Sequence, residues 1–183
     1  MGDVERYEYL RPVRQGGGDS RTPTGLPQPA LPSIQARTRI GSDIKSAMGE
    51  GDVDVVRRIY GFDWAAVGSR SKGFSELAGL VSGGFTAQLS PELGERMMEG
   101  VGALRDFTQA LEADFSEFRY DADEFLPGAD GTVVVLGTIQ ASGRASRMPL
   151  GGEFGHVWTI QNGKAAEVRA YRDRQTAKQQ VGL

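Results

Sequence analysis

The run EFGHVWTI, residues 153–160, holds the single histidine of this 183-residue chain. Residues alternate across a β-strand, so Phe154, His156, Trp158 and Ile160 share one face and Glu153, Gly155, Val157 and Thr159 the other. The aromatic face is the one to bury, which sets His156 among rings. An imidazole near its ordinary pKa of ~6.5 moves protons as acid or base at neutral pH. Apolar walls disfavour its charged form. A neutral core histidine, hydrogen-bonded to backbone or water, fits the same pattern. Asp63, between Phe62 and Trp64, is the candidate carboxylate to orient the ring; an ordinary turn aspartate is the alternative. Phe62, Trp64, Phe107 and Trp158 are candidates to line a ligand cavity, and otherwise are core. Arg172 points inward by strand parity yet stands at its strand's end, where it can meet a ligand, solvent or Asp173. Arg144 and Arg147, in SGRASRMP, either bind a substrate carboxylate or decorate a hairpin end. Asp121 and Asp123 read as surface carboxylates, not metal ligands.

Other chemistries are excluded. The chain has no cysteine, so disulfides, thiolate metal sites and a cysteine nucleophile are absent. One histidine without thiols does not make a typical zinc site, and neither metal nor cofactor is expected. The stretches GGGDS and VSGGF lack the strand–loop–helix setting and GK[ST] ending of a phosphate loop. No Gly-x-Ser-x-Gly elbow is present. The formal net charge of -3 favours neither nucleic acid nor an anionic membrane. No apolar run approaches the ~18 residues of a membrane span, and none near the N-terminus suits a signal peptide. The expected location is the cytoplasm, with which the lack of cysteine is compatible.

The elements that must position these residues fall into two parts. Residues 1–41 hold five of the eight prolines and the run Gly16-Gly17-Gly18, and read as a flexible arm. The body, 42–183, begins with helices. Val53, Val56, Ile59 and Tyr60 recur at helical spacing, with Asp52 placed as a cap. Phe74, Leu77, Leu80 and Val81 make a second short amphipathic stretch. SPEL, residues 90–93, opens a helix over 90–99. Val101, Leu104, Phe107, Leu111 and Phe115 form one face of the clearest helix. After Phe118 the period falls to two. Strands follow with Asp130-Gly131 and Asn162-Gly163 as hairpin turns, Gly137 and Gly143 as bends, and a short terminal helix. Helices followed by a meander of about four or more antiparallel strands define an α+β fold. A curved sheet on helices leaves a cavity suited to a small ligand.

Three stretches, VVRRIY at 55–60, residues 100–135, and FGHVWTIQNGKAAEVRAYRDRQTAKQQVGL at 154–183, resemble the SnoaL-like polyketide cyclases of the NTF2-like superfamily. The resemblance covers roughly residues 53–183 and rests most on aromatic–x–His–x–Trp, hairpin, Tyr–x–Asp and a short helix ending in Gly-Leu. It implies an NTF2-like cone of helices on a curved sheet, with a deep apolar pocket for a small hydrophobic molecule and a homodimer formed through the outer sheet face. It also implies cofactor-free acid–base chemistry of isomerase or cyclase type on a carbonyl compound. The family's inward aspartate falls at Ala170 here, with Ala166, Val168 and Arg172 as the neighbouring inward positions. Alanine transfers no proton, so a non-catalytic binding or dimer-scaffold protein is the alternative.

Overall fold

The computed structural model describes residues 39–67, 71–90 and 95–183. The expected arm therefore lies outside the described residues except for 39–41, which open the first helix. That helix, α1 (Arg39–Tyr60), runs straight through Asp52, so the aspartate caps nothing. Val53, Val56 and Ile59 bury its inner stripe, and Ile59 is 1% exposed, a burial worth about 2 kcal/mol. Gly61 closes the helix, donating its N–H to the Arg57 carbonyl at 3.1 Å.

The second helix, α2 (Ser71–Leu80), inserts Phe74, Leu77 and Leu80 into the core. Val81 does not continue it. It begins β1 (Val81–Leu89), which pairs with β2 (Met97–Glu99). Neither strand was anticipated. Gly83 and Gly84 erase the alternation in the first half of β1, and β2 is only three residues long. Of the helix expected over 90–99, residues 91–94 lie outside the described residues, and 97–99 are strand.

The strong periodicity after Gly100 becomes α3 (Gly100–Asp114), with Leu104 and Leu111 buried. Phe115 belongs instead to β3 (Phe115–Pro127), which leads to β4 (Thr132–Gly143), β5 (Pro149–Gln161) and β6 (Lys164–Tyr171). Both anticipated hairpin turns place their residues at positive φ: Asp130 and Gly131 at 54° and 74°, Asn162 and Gly163 at 53° and 71°. The paired positive values are those a type I′ turn requires. Arg144 reaches back from the β4–β5 turn to the open end of α3. Its Nη2 donates to the carbonyls of Glu112 at 2.7 Å and Phe115 at 2.9 Å. Cationic donors stabilise the negative end of a helix, so Arg144 serves the fold.

The six strands lie in the order β2-β1-β6-β5-β4-β3. All neighbours are antiparallel except β1 and β6, which run parallel. This is the expected α+β architecture with two strands more than the meander alone. The inner face of β4 and β5 joins α1, α2 and α3 in the main core. The outer face is covered in part by the terminal helix α4 (Arg174–Gln180). Asp173 caps that helix, accepting from the Thr176 N–H at 2.8 Å, and so is not an ion partner for Arg172. Here Ala177 packs with Val134, Leu136, Val157 and Tyr171. Gly155 permits the contact: a Cβ there would lie 2.3 Å from the Ala177 Cβ. Gly137 likewise sits where a Cβ would meet the Asp121 carbonyl oxygen at 2.2 Å, beside the register shift between Ala122 and Glu124 that bends β3. Among the described residues, no helix is long and apolar enough to cross a membrane.

Candidate functional site

The alternation of β5 turns Phe154, Trp158 and Ile160 into the main core and Val157 toward α4. His156 follows the first set. Its ring lies 4.5 Å from that of Phe154 and 5.4 Å, edge-on, from that of Tyr120. Across the ladder it faces Ala170 on β6. The position where a carboxylate would stand beside the imidazole thus presents a methyl group.

The partner that orients the ring comes from the last residue of α1. The Tyr60 hydroxyl lies 2.5 Å from His156 Nδ1, and Trp158 Nε1–H donates to the same hydroxyl oxygen at 3.1 Å. The direction of this chain follows from which groups can donate. Indole nitrogen only donates, so Trp158 uses a lone pair of the Tyr60 oxygen. Among the described residues, Nδ1 is then the acceptor left for the Tyr60 proton. His156 is thereby assigned the tautomer that carries its proton on Nε2. Nε2 has no partner among the described residues.

Electrostatics reinforce the assignment. Burial pushes the His156 pKa down to about 3 and the Tyr60 phenol up. Both groups are neutral at ordinary pH, and each disfavours the charge a proton transfer would create. The imidazole is therefore a poor base and a competent hydrogen-bond donor.

A hollow of about 80 Å³ adjoins this trio. Trp64, Phe107, Trp158, His156 and Arg172 line it, as does Tyr60. Phe62 and Asp63 do not. Phe62 packs against the core from outside the hollow, and Asp63 is exposed in the turn after α1, where its backbone carbonyl accepts from Ala66 at 3.0 Å. The helix ends one turn too early to carry Asp63 inward, so Tyr60 holds the place assigned to it. Tyr60 was legible as a core residue of a helical stripe; nothing in its spacing marked a contact with His156, 96 positions away. Trp64 is 6% exposed and edges against Tyr120 at 5.6 Å.

Ala166 is also corrected. A register shift between Thr159 and Ile160 in the β5–β6 ladder pairs Ile160 with Ala165, and it is Ala165 that is fully buried. The parity of Val168 and Ala170 is unaffected, because it is counted from the far side of the bulge. The hollow opens where β6 ends. There the exposed lining residues Glu153 and Arg172 gather with the half-exposed Gln88 and Leu89. Glu153, assigned by alternation to the outer face, reaches this rim and pairs with Arg174 at 3.4 Å. Among the described residues, no group of three or more His, Cys, Asp or Glu side chains is placed to hold a metal ion. Asp121 is paired with Arg119 and Asp123 with Arg174, each at 2.6 Å.

No protein-family model and no curated protein matches the chain. Solved structures do. An NTF2-like protein of unknown function from Burkholderia pseudomallei is 17% identical, with 73% of this chain and 98% of that one covered at a TM-score of 0.54. A protein assigned as a SnoaL-like polyketide cyclase, from Jannaschia sp. CCS1, is 16% identical over 67% of this chain and 85% of its own, at 0.56. The fold is NTF2-like. A phenazine biosynthesis-related protein from Pseudomonas aeruginosa shares it at 10% identity, with 77% and 90% covered and a TM-score of 0.57. The NTF2-like cone explains why the end of α1, the middle of β5 and the end of β6 converge: the helices plug the concave side of the sheet and leave one end open.

Proposed function

We propose that this NTF2-like protein binds a small, uncharged carbonyl group in its hollow and polarises the carbonyl oxygen through His156 Nε2–H. The reading belongs to the isomerase or cyclase type that the similarly folded cyclase suggests. It differs in using the histidine as electrophile, not as base. The observation that carries it is the directed chain from Trp158 through Tyr60 to His156, which commits Nδ1 to accepting and frees Nε2–H to donate. A donor in apolar surroundings binds an acceptor oxygen more strongly than it would in water. The aromatic walls supply the apolar contact. At about 80 Å³ the hollow admits only the carbonyl end of a ligand, and the remainder lies in the mouth; pockets that enclose drug-sized ligands are several-fold larger, roughly 300–1,000 Å³.

A second reading, retention of the ligand without turnover, is favoured by Ala170. With no carboxylate opposite the imidazole, any carbon acid bound here needs a base from the rim or from its own structure.

The test uses cyclohexanone and methylenecyclohexane, which share shape but not the acceptor. The ketone should bind more tightly, and its carbonyl stretch should move to lower frequency on binding. His156→Phe should remove both effects. Tyr60→Phe, which unties the tautomer, should diminish the frequency shift while retaining the ring. Equal binding of ketone and hydrocarbon, or an unshifted carbonyl band, would sink the reading. Exchange of the ketone's α-protons in heavy water separates the two versions: exchange above the solvent rate marks turnover, and its absence marks retention.

A further inference from the structure

The rim of the hollow is electrostatically uneven. Among the described residues, two charged side chains line it, Glu153 and Arg172. Glu153 shares Arg174, at 3.4 Å, with Asp123 at 2.6 Å and Glu124 at 3.5 Å. Arg172 is exposed and has no ion-pair or hydrogen-bond partner among the described residues. Asp173, its neighbour, is occupied in capping α4. Among the described residues, the mouth therefore presents one guanidinium without a partner, Arg172, on a rim whose carboxylate shares its cation with two other acids.

Arg172 also stands at a defined place relative to the donor inside. His156 faces Ala170 directly across the ladder, and Arg172, the first residue past the end of β6, lines the same hollow. Two residues of chain span at most about 7 Å, so one small ring and its substituent can bridge a group held by His156 and one held at the rim. A guanidinium matches a carboxylate with two parallel N–H donors.

We infer that the ligand is an oxo acid: a carbonyl for His156 inside the hollow and a carboxylate for Arg172 at its mouth, joined by a short apolar body. The inference rests on the carbonyl reading above and adds the anionic group. An ammonium or guanidinium substituent placed against Arg172 meets a like charge.

Calorimetric titration of 3-oxocyclohexanecarboxylate, its methyl ester and cyclohexanone tests this on the intact protein. The acid should bind at least about tenfold more tightly than the ester, as expected for one charge-assisted pair. The preference should shrink with added salt. In R172Q the acid and ester should bind alike, and R172K, which keeps the charge but loses the paired donors, should fall between. Arg172 is exposed, so these variants do not threaten the core. If the wild type binds acid and ester equally while still preferring ketone to hydrocarbon, the anionic-group inference is overturned and the carbonyl reading stands. If no oxo compound binds, both fall together.

Discussion

Burying a neutral imidazole ties stability to pH through a single residue. The folded pKa of His156, about 3, lies below the ordinary ~6.5 of an unfolded chain. Between those values the unfolded state binds a proton that the folded state refuses. Stability is thus fully present above pH 6.5 and declines as pH falls toward 3, by up to about 1.4 kcal/mol per pH unit. Urea unfolding at pH 7.5, 6 and 5 should show this decline. His156→Gln should flatten it over the same window, whereas a parallel slope in that variant would mean that other groups are responsible. The residue-level pattern was partly readable in advance. Alternation across a strand placed His156, Phe154 and Trp158 on one face because period two is a local property of extended backbone. The identity of the orienting partner was not readable, because Tyr60 and Asp63 differ only in whether α1 has ended before them.

At the level of elements, two glycines show how packing constrains a sequence that looks merely permissive. Gly155 is the seat of α4 on the outer face of β5, with the Ala177 Cβ where its own would be. Gly155→Ala must push α4 outward and should cost about 1–3 kcal/mol as an overpacked contact. Thermal unfolding should register the loss, and faster amide exchange in 174–180 than in α3 would place it at α4. An unchanged melting temperature would contradict the tight seating. The hairpins and α3 were visible in the sequence because their signals are short-range: Asn-Gly and Asp-Gly turns and a 3.6-residue stripe. β1 and β2 were not. β1 owes its existence to a parallel pairing with β6, whose partner residues lie some 80 positions later, and two adjacent glycines hide its alternation.

On the scale of the whole molecule, the two faces of the sheet differ, and the outer one is only partly covered. Part of it is closed by α4 over Val134, Leu136, Val157 and Tyr171. The remainder carries salt-bridged pairs, Arg119 with Asp121 and Arg169 with Glu167 at 2.7 Å. We propose that the chain pairs with a second copy through this polar, charge-alternating face, as the family resemblance suggests. Light scattering coupled to size exclusion should give twice the chain mass. Reversing Arg169 to Glu, which sets two like charges side by side, should shift the molecule to the monomer while leaving the fold intact by circular dichroism. A wild-type monomer at all concentrations would refute the dimer.

The sequence by itself determined the α+β class, the order of helices before meander, the turns, the inward face of β5 and the lack of any thiol chemistry. Each of these depends on interactions among residues a few positions apart, or on composition alone. Only the tertiary structure decided that the Tyr60 hydroxyl joins His156 to Trp158, that the hollow is small, that Arg172 at its rim has no partner among the described residues, and that Arg144 and Asp173 serve helix ends. Those outcomes depend on where α1 stops, on one bulge in the β5–β6 ladder and on a parallel strand pair. These are long-range choices, in which local patterns of similar quality compete and the packing of the whole core selects one.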